Sequence, residues 1–272
     1  MGCYVIVGKN QHRLNMSNYI VKMGYQFNQE CVGKKFFKLT GSFEYAAGQK
    51  YEVGYHYQKI ITDIHGRHQM GGITFIDEEY LPYWVKNDWP INNLVYIVGI
   101  PSDAIVIVTE SLYVTDKIML IIELSVTDVL ASIDERVYLN NLMRDPGIIK
   151  IIPYRSKTIE FYRKACLVNP KVILHMPKNR LTNELCKIAI FRDATLLCLL
   201  PDEFLTDKLI SELVCVDGKF LQYIPYPKIT SSIYKIAVRD NGQALAFVPE
   251  CFKTHDICYY AVKNDGLAIV YV

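Results

Sequence analysis

The residues best suited to chemistry lie in the first half of the chain, where His65-Gly66-Arg67-His68 holds the only closely spaced pair of histidines. Imidazole nitrogens bind Zn²⁺ and also transfer protons near neutral pH, so the pair could be half of a metal site or an acid–base pair. No cysteine or carboxylate stands at a spacing that would complete such a site, and the flanking residues are those of a polar loop. We therefore predict loop histidines here, with no metal ligand, no cofactor-binding residue and no catalytic residue.

A second arrangement would be an enzyme site built around glycines. Gly71-Gly72, before Ile73-Thr74-Phe75, could place a tight turn beside a ligand-binding strand, as in some NAD-using transferases. With His65 and Glu110 it would form a site like that of a mono-ADP-ribosyltransferase. The sequence does not show that these residues share a cleft, so this enzyme is the alternative to our main prediction. Gly33-Lys34-Lys35 lacks the glycine spacing and the hydroxyl of a phosphate-binding loop.

Aromatic residues are densest around the two tryptophans, Trp84 and Trp89, with Tyr80 and Tyr83 close by in sequence. Packing in a core is the ordinary role of such a cluster. Tryptophan and tyrosine also dominate the energetics of protein interfaces, because they bury a large apolar area and keep a polar handle. Core packing is therefore the first expectation for this cluster, and the alternative is that Tyr83, Trp84 and Trp89 are protein-binding residues.

The elements that carry these residues are predicted to form a small α+β domain over residues 1–130. Glycine and proline separate short runs rich in β-branched and aromatic residues, which is typical of strands. The predicted strands are Phe36–Leu39, Tyr51–Tyr57, Ile73–Ile76, Tyr96–Ile100 and Ile105–Thr109, and Glu78–Val85 is predicted to be a helix.

Residues 131–272 follow a different pattern, which repeats every 24 residues. The interval is marked by Pro153, Pro177, Pro201, Pro225 and Pro249, and by Thr158, Thr182, Thr206, Thr230 and Thr254. A fixed period of this size indicates stacked units that together build an extended surface. Full units are predicted near residues 148–171, 172–195, 196–219, 220–243 and 244–266, with partial units at both ends; the earlier partial unit includes a helix over Asp134–Arg144.

Each unit is predicted to be a short helix, a turn, a longer helix and a turn, so that the array is an all-α solenoid of helix-turn-helix units. Apolar residues three, seven and eight positions after each threonine share one helical face. The threonine hydroxyl is expected to cap the longer helix, and the proline to end the shorter one. A leucine-rich horseshoe has a similar period, but its asparagine ladder is absent and the periodicity here is helical.

Small residues at fixed positions in the unit indicate how the helices end and how closely they pack. Position seven after the threonine is alanine in four of the five units, which indicates close helix packing: Ala165, Ala189, Ala237 and Ala261. In the remaining unit, which contains Thr206, leucine (Leu213) replaces this alanine, and we predict a looser helix contact there. Asp217-Gly218, Asn241-Gly242 and Asp265-Gly266 are predicted to end the longer helices, with each glycine in the left-handed conformation.

One row of positions is a candidate binding surface on the array. It lies two residues before each proline and comprises Ile151, His175, Leu199, Tyr223 and Phe247, with Tyr271 at the equivalent position of the last partial unit. This row could line a protein-binding groove or form core between units. The apolar segment Ala268–Val272 takes the place of the polar cap that usually ends a solenoid. We expect it to dock on a partner or on a second copy, or to fold back.

Composition limits the other classes of function. The chain has 272 residues, 51% of them apolar, and a net charge of +2, which argues against a strong commitment to nucleic acid or to an anionic membrane. No apolar stretch is predicted to span a membrane, and the start of the chain has no signal-peptide or myristoylation pattern. Eight cysteines without a C-x-x-C pair are expected to be buried free thiols in a reducing compartment, so we expect a soluble cytoplasmic protein.

The repeat resembles a family of unassigned function that is common in giant viruses of the mimivirus type. The best match is Thr254–Val272, with its Ala261-Val262, Asp265-Gly266 and Ala268-Ile269, and Thr230–Val248 also matches well. The first half is similar to the module that such viruses place before ankyrin-type repeats, through Phe36–Thr40, Gly71–Phe75, Val98–Val106 and Tyr113–Leu120. The two matches together cover residues 35–272. The resemblance implies a viral interaction protein that acts in the host cytoplasm.

Together these features predict a non-catalytic adaptor or scaffold that binds a host or viral protein, with self-association through the C-terminal end as a further option. The enzyme described above, with the repeats positioning its target, is the first alternative. An RNA-binding array is the second. Nucleic-acid binding is disfavoured because the positions after each threonine show no continuous lysine and arginine stripe and no two-residue base-reading code.

Overall fold

The computed structural model describes residues 3–7, 10–14, 19–40, 51–58, 61–62, 68–69, 72–88, 94–110 and 112–272. The chain divides into two compact units, residues 1–158 and 159–272, which are described separately below. The secondary structure changes within the first unit, where the last strand ends at Ser125 and a helix begins at Val126. The coarse architecture is therefore an antiparallel sheet region followed by a helical region.

Strands and helices of the first unit occur in the following order along the chain. The strands are β1 (Cys3–Val7), β2 (Asn10–Leu14), β3 (Ile20–Met23), β4 (Phe36–Leu39), β5 (Gly54–Tyr57), β6 (Ile61–Thr62), β7 (His68–Gln69), β8 (Ile73–Asp77), β9 (Leu94–Gly99), β10 (Ile105–Val108), β11 (Tyr113–Thr115) and β12 (Lys117–Ser125). The helices are α1 (Gly24–Glu30), α2 (Leu81–Asp88), α3 (Val126–Ser132) and α4 (Glu135–Arg144).

Among the described residues, the largest sheet has eight strands in the order β3-β10-β11-β8-β4-β9-β12-β5, all antiparallel. β12 is its longest strand, and its register against β9 shifts between Leu120 and Ile122. The core under the sheet is aromatic: the ring centroids of Phe27 and Phe36 lie 5.1 Å apart, and those of Phe75 and Tyr113 also lie 5.1 Å apart. These aromatic contacts hold α1 against the sheet.

The five predicted strands are present as β4, β5, β8, β9 and β10, with ends shifted by up to three residues. The predicted helix over Glu78–Val85 is also present, but it begins at Leu81. The reason is a turn, in which the Asp77 carboxylate accepts the backbone N–H groups of Glu79 and Tyr80 at 3.1 and 3.3 Å. Because those donors are already satisfied, the helix starts one turn later.

The helical region contains no strand from Val126 to Val272, all of which the structure describes. This excludes the leucine-rich horseshoe. The second unit contains α5 (Ile159–Val168), α6 (Asn183–Arg192), α7 (Asp207–Val216), α8 (Ser231–Asp240) and α9 (His255–Asn264). The earlier helix predicted over Asp134–Arg144 is α4, and the Asp134 carboxylate caps it.

Threonine caps the helices as predicted in four units. The hydroxyl oxygens of Thr182, Thr206, Thr230 and Thr254 accept the backbone N–H groups of Leu185, Leu209, Ile233 and Ile257 at 3.2–3.4 Å. Each hydroxyl satisfies one of the N–H groups that a helix leaves without an internal partner, so each fixes where its helix begins.

The short first helix of each unit is a 3₁₀ helix, where the sequence predicted an ordinary helix-turn-helix. The 3₁₀ helices are Pro170–His175, Ala194–Cys198, Gly218–Tyr223, Gly242–Phe247 and Gly266–Tyr271. A repeat proline follows each of the first four of these 3₁₀ helices, two or three residues after the helix ends. The proline caps a second 3₁₀ helix, which is three residues long. A segment this short between a helix end and a proline gains few i→i−4 bonds, which favours the tighter 3₁₀ form.

The repeat glycines are not left-handed, which corrects the prediction for Gly218, Gly242 and Gly266. Among the described residues, positive φ angles occur only at Gly33, Gly54 and Gly72. A Cβ on Gly218 would lie 2.7 Å from the Ala237 carbonyl oxygen, and one on Gly242 would lie 2.4 Å from that of Ala261. Gly218 and Gly242 are therefore needed because the helix of the following repeat unit approaches their backbone.

Neighbouring repeat units pack on one another in series within residues 159–272. α8 packs against both α7 and α9, and the 3₁₀ helix Gly242–Phe247 packs against the equivalent helices before and after it. α6 approaches α7 less extensively than α7 approaches α8. This agrees with the looser contact predicted from Leu213, since a larger side chain in place of alanine holds two helices further apart.

Candidate interaction surface

Of the residues of the hypothetical transferase site, the structure describes only Gly72 and Glu110, and it does not bring these two together. His65 and Gly71 lie outside the described residues. Gly72 stands just before β8, and Glu110 stands in the turn before β11, with Phe75 opposite Tyr113 and Ile73 opposite Thr115. Gly72 and Glu110 are therefore at opposite ends of the β8–β11 pair, roughly 15 Å apart at the usual rise per residue of a strand. A cleft that contains both would need a different register.

A buried aspartate and a half-buried tyrosine within residues 1–158 have a structural role. The Tyr113 hydroxyl donates to Asp77 at 2.9 Å, and the other oxygen of Asp77 holds the turn before α2. Burial, followed by the nearby Asp77 carboxylate, raises the pKa of Tyr113 well above its usual value. The pair joins β8, β11 and α2, and both groups already have their partners inside the fold.

The aromatic cluster is divided between core and margin. Trp84 is 3% exposed, and its ring packs edge-on against that of Tyr83 at 6.1 Å between centroids. Its indole is therefore not accessible to a partner, and it takes the core-packing role. Tyr83 is half-buried on the same helix, α2, while Trp89 lies outside the described residues.

Within residues 159–272, the row of side chains two residues before each repeat proline lies at the surface. Leu199 is 56% exposed and Phe247 is 39% exposed. His175, Tyr223 and Tyr271 are half-buried, as is Ile151 in the first unit. The row therefore does not form the core between units. It is available for contact.

The 3₁₀ helices place the members of this row next to each other. The helix Gly218–Tyr223 packs against Ala194–Cys198 on one side and against Gly242–Phe247 on the other, and Gly242–Phe247 packs against Gly266–Tyr271. The Cys198 sulfur lies 3.1 Å from the carbonyl oxygen of Tyr223, which ties two of these helices directly. Residues at equivalent positions therefore follow one another along one side of the repeats.

A second row, one residue earlier in each unit, widens this surface and was missed by sequence reasoning. Its members are exposed and mostly apolar: Leu174, Cys198, Gln222, Ala246 and Val270. The sequence does contain this second row, because its members stand three residues before the repeat prolines, just as the first row stands two residues before them. We call the two rows together the 3₁₀ ridge: residues 174–175, 198–199, 222–223, 246–247 and 270–271.

Charged side chains connect one unit to the next, away from the 3₁₀ ridge. On the helices, Arg163 pairs with Glu184 at 2.5 Å, Lys235 pairs with Asp256 at 3.1 Å, and Lys187 pairs with Glu212. On the turns after the prolines, Lys178 pairs with Glu203 at 2.7 Å. In each pair the neighbouring unit supplies the carboxylate, so these bases are locally neutralised.

The cysteines differ from the expectation of uniform burial. Cys166 and Cys186 are buried, and burial raises their pKa to about 12 and about 11. Cys198, Cys215 and Cys251 are exposed free thiols. No group of three or more histidine, cysteine, aspartate or glutamate side chains is placed to hold a metal ion among the residues that the structure describes.

Comparisons with known proteins do not assign this chain to a family. Across the described ranges, no helix combines the length and the apolar character needed to cross a lipid bilayer. No protein-family model, curated protein or solved structure matches the sequence or the fold significantly.

Proposed function

We propose that this protein is a non-catalytic adaptor. Its residues 159–272 form a short helical solenoid that binds another protein along the 3₁₀ ridge. The observation that carries the proposal is the exposure of large apolar side chains at equivalent positions of successive units, above all Leu199 and Phe247. A strip of this kind is unusual on a surface that meets only water.

The solenoid supplies the geometry for such a surface. Units that contact only their sequence neighbours build an elongated face rather than an enclosed pocket, and repeat proteins use such faces for extended partners. Within residues 159–272 the helices pack in chain order, and the 3₁₀ helices follow the same order. A partner lying along the ridge would meet a leucine, a tyrosine and a phenylalanine in succession.

The chemistry of the ridge indicates the type of partner. Leu199, Tyr223 and Phe247 offer apolar and aromatic contact, and Lys178 and Lys228, on the turns after the repeat prolines, each pair with a carboxylate of a neighbouring repeat unit. An extended protein segment with apolar side chains fits this surface better than the phosphate backbone of RNA does, because phosphate binding relies on unpaired basic side chains. If the resemblance to giant-virus repeat proteins holds, the partner is a host or viral protein in the host cytoplasm.

A peptide-display selection tests the proposal. The full chain would be used to select ligands from a random peptide library, and each ligand would be titrated against wild type and against a Leu199→Asp/Phe247→Asp variant. We expect at least a tenfold weaker affinity for the ridge variant. A control variant, Ile159→Asp/Val216→Asp, alters two exposed residues on the helices and should bind like wild type. Selected ligands that bind all three proteins equally would contradict a binding role for the ridge.

A further inference from the structure

The packing of the 3₁₀ helices sets the spacing of the side chains along the middle of the 3₁₀ ridge. The helix Gly218–Tyr223 has Cα atoms within 8 Å of those in Ala194–Cys198 and of those in Gly242–Phe247. Packed helices have axes about 8–10 Å apart. Leu199 and Phe247 stand at the C-terminal ends of their helices, as Tyr223 does, so the three side chains follow one another at roughly that interval.

This interval distinguishes between the regular conformations that a bound protein segment could adopt. A β-strand presents the same side at every second residue, which is about 6.6 Å and too short, and its next residue on that side is about 13 Å away. A polyproline II helix has about three residues per turn and rises about 3.1 Å per residue, so the same face returns after roughly 9 Å. Every third residue of such a helix would therefore meet a new repeat unit.

An α-helix fits the ridge less well than a polyproline II helix does. Its pitch is about 5.4 Å, so only alternate turns would meet a repeat unit, and the turns between them would face the gaps. A bound α-helix also needs a continuous apolar groove to receive its apolar stripe. The second row of the ridge interrupts such a stripe with Gln222, whose side chain is polar and exposed.

Hydrogen-bonding groups in the middle of the ridge complement the backbone of a polyproline II helix. Such a helix has no internal hydrogen bonds, so its carbonyl oxygens remain acceptors, and its prolines have no N–H group to satisfy. The ridge offers donors to these carbonyls, namely the Tyr223 hydroxyl and the side-chain amide of Gln222. Within residues 112–272, which the structure describes without a gap, neither of these two groups has a hydrogen-bond partner.

Charge on the turns that follow the ridge is complementary to a basic residue of a partner. Asp202 and Glu250 each stand directly after a repeat proline, and their side chains are 80% and 85% exposed. The lysines that pair with them are only 30% and 13% exposed. The pair between Lys178 and Glu203 is exposed on both sides and adds no net charge. A partner that approaches these turns therefore meets mainly carboxylate.

We propose that the 3₁₀ ridge binds a proline-rich segment of another protein in the polyproline II conformation. Every third residue of the segment contacts one repeat unit, and a flanking lysine or arginine meets Asp202 or Glu250. The proline rings pack between Leu199, Tyr223 and Phe247, which is how apolar and aromatic surfaces recognise such segments, and their fixed backbone loses little entropy on binding. This inference rests on the adaptor function, because it names the partner of the same surface.

Two synthetic peptides of the same composition test the spacing. Each is a fluorescent polyproline peptide of about ten residues, long enough to span the middle of the ridge, with a lysine at one end. The matched peptide carries leucine at every third position, and the mismatched peptide carries the same leucines at every second position. Both would be titrated into the full chain by fluorescence anisotropy. We expect saturable binding of the matched peptide and at least tenfold weaker binding of the mismatched one.

Variants of the protein locate the bound peptide. Leu199→Asp/Phe247→Asp should weaken binding of the matched peptide at least tenfold, whereas the helix-surface control Ile159→Asp/Val216→Asp should bind it like wild type. Tyr223→Phe keeps the ring and removes only the hydroxyl donor, so it should weaken binding about two- to tenfold. All of these variants should keep the circular dichroism of wild type.

The possible failures of this inference and of the adaptor function are distinguishable. Equal affinity for the two peptides, no binding of the matched peptide by wild type, or binding that Leu199→Asp/Phe247→Asp leaves unchanged would each overturn the proposal of a polyproline II partner. The adaptor function survives those results if ligands from the peptide display still lose affinity for the ridge variant, because the ridge then binds segments of another conformation. Display ligands that bind the ridge variant as well as wild type would count against the adaptor function itself.

Discussion

The ideal Cβ position of Gly242 lies 2.4 Å from the carbonyl oxygen of Ala261, in the helix of the next unit. The same relationship joins Gly218 to Ala237 at 2.7 Å. Glycine and alanine at these positions are thus two sides of one contact, which sets how closely successive units approach.

This contact predicts opposite effects for alanine at two equivalent glycines. Gly242→Ala should destabilise the protein by about 1–3 kcal/mol, because the added methyl group must push the next helix away. Gly266→Ala should be neutral or stabilising by up to about 1 kcal/mol, because the space there is open and alanine restricts the unfolded chain. Urea denaturation of both variants against wild type measures the difference. Equal destabilisation by the two substitutions would argue against the close approach as the cause.

The helix caps provide a second prediction. Thr230→Ala removes the hydroxyl that accepts the N–H of Ile233, so it should cost about 1 kcal/mol. Thr230→Ser keeps an acceptor and should cost much less. Chemical denaturation of the pair, read by circular dichroism, checks this. If serine were as destabilising as alanine, the methyl group rather than the hydroxyl would be the stabilising feature.

Residue size at position seven should matter in opposite directions in two units. Leu213 is fully buried where the helices lie further apart, so Leu213→Ala should leave a cavity and cost about 2–5 kcal/mol. Ala237 is fully buried where the helices are close, so Ala237→Leu should cost about 1–3 kcal/mol through overpacking. Thermal or urea unfolding would measure both. A stabilising Leu213→Ala would mean that the looser contact is not filled by this side chain.

The buried thiols predict a loss of stability at alkaline pH. Burial raises the pKa of Cys166 from 9.0 to about 12, so the folded state disfavours its thiolate while the unfolded chain ionises. The stabilising effect is complete below pH 9 and is lost progressively as the pH rises toward the folded pKa, on the order of 1–2 kcal/mol by about pH 10.5. Urea unfolding between pH 8 and about pH 10.5 measures the slope.

Valine is the matched substitution for this test, because Val214, Val238 and Val262 occupy the equivalent position in three later repeat units. Cys166→Val should reduce the slope of stability against pH in this range and leave stability at neutral pH little changed. A slope identical to that of wild type would show that the loss comes from other groups, such as the buried tyrosines.

The period, the helix bounds and the caps could be predicted from the sequence because local chemistry determines each of them. A threonine followed by apolar residues at helical spacing fixes a helix start without any distant partner, and Thr182, Thr206, Thr230 and Thr254 behave accordingly. One of the two rows of the 3₁₀ ridge, the row two residues before the prolines, could be predicted for the same reason. Its second row has a fixed offset from the prolines, but only the fold shows that those residues are exposed.

Features with distant causes could not be predicted. Gly242 adjoins a helix of the next unit, and the local sequence suggested only a left-handed helix end. β12 was also missed, because Ile118 and Leu120 are buried while Ile121 and Ile122, after the register shift, are exposed. That shift interrupts the alternation by which a strand is identified. The transferase hypothesis depended on register in the same way, since the β8–β11 pairing separates Gly72 from Glu110.

Deletion of residues 249–272 tests the central claim most directly, since the 3₁₀ ridge depends on repeat units that are stabilised by their neighbours in series. Hydrogen exchange would be measured helix by helix in the shortened and the full-length protein. We predict that α8 loses protection, because Tyr234, Val238 and Leu245 lose their cover, while α5 and α6 keep theirs. Loss of protection across α5 to α8 together would contradict the account, because it would mean a single cooperative core instead of a stack.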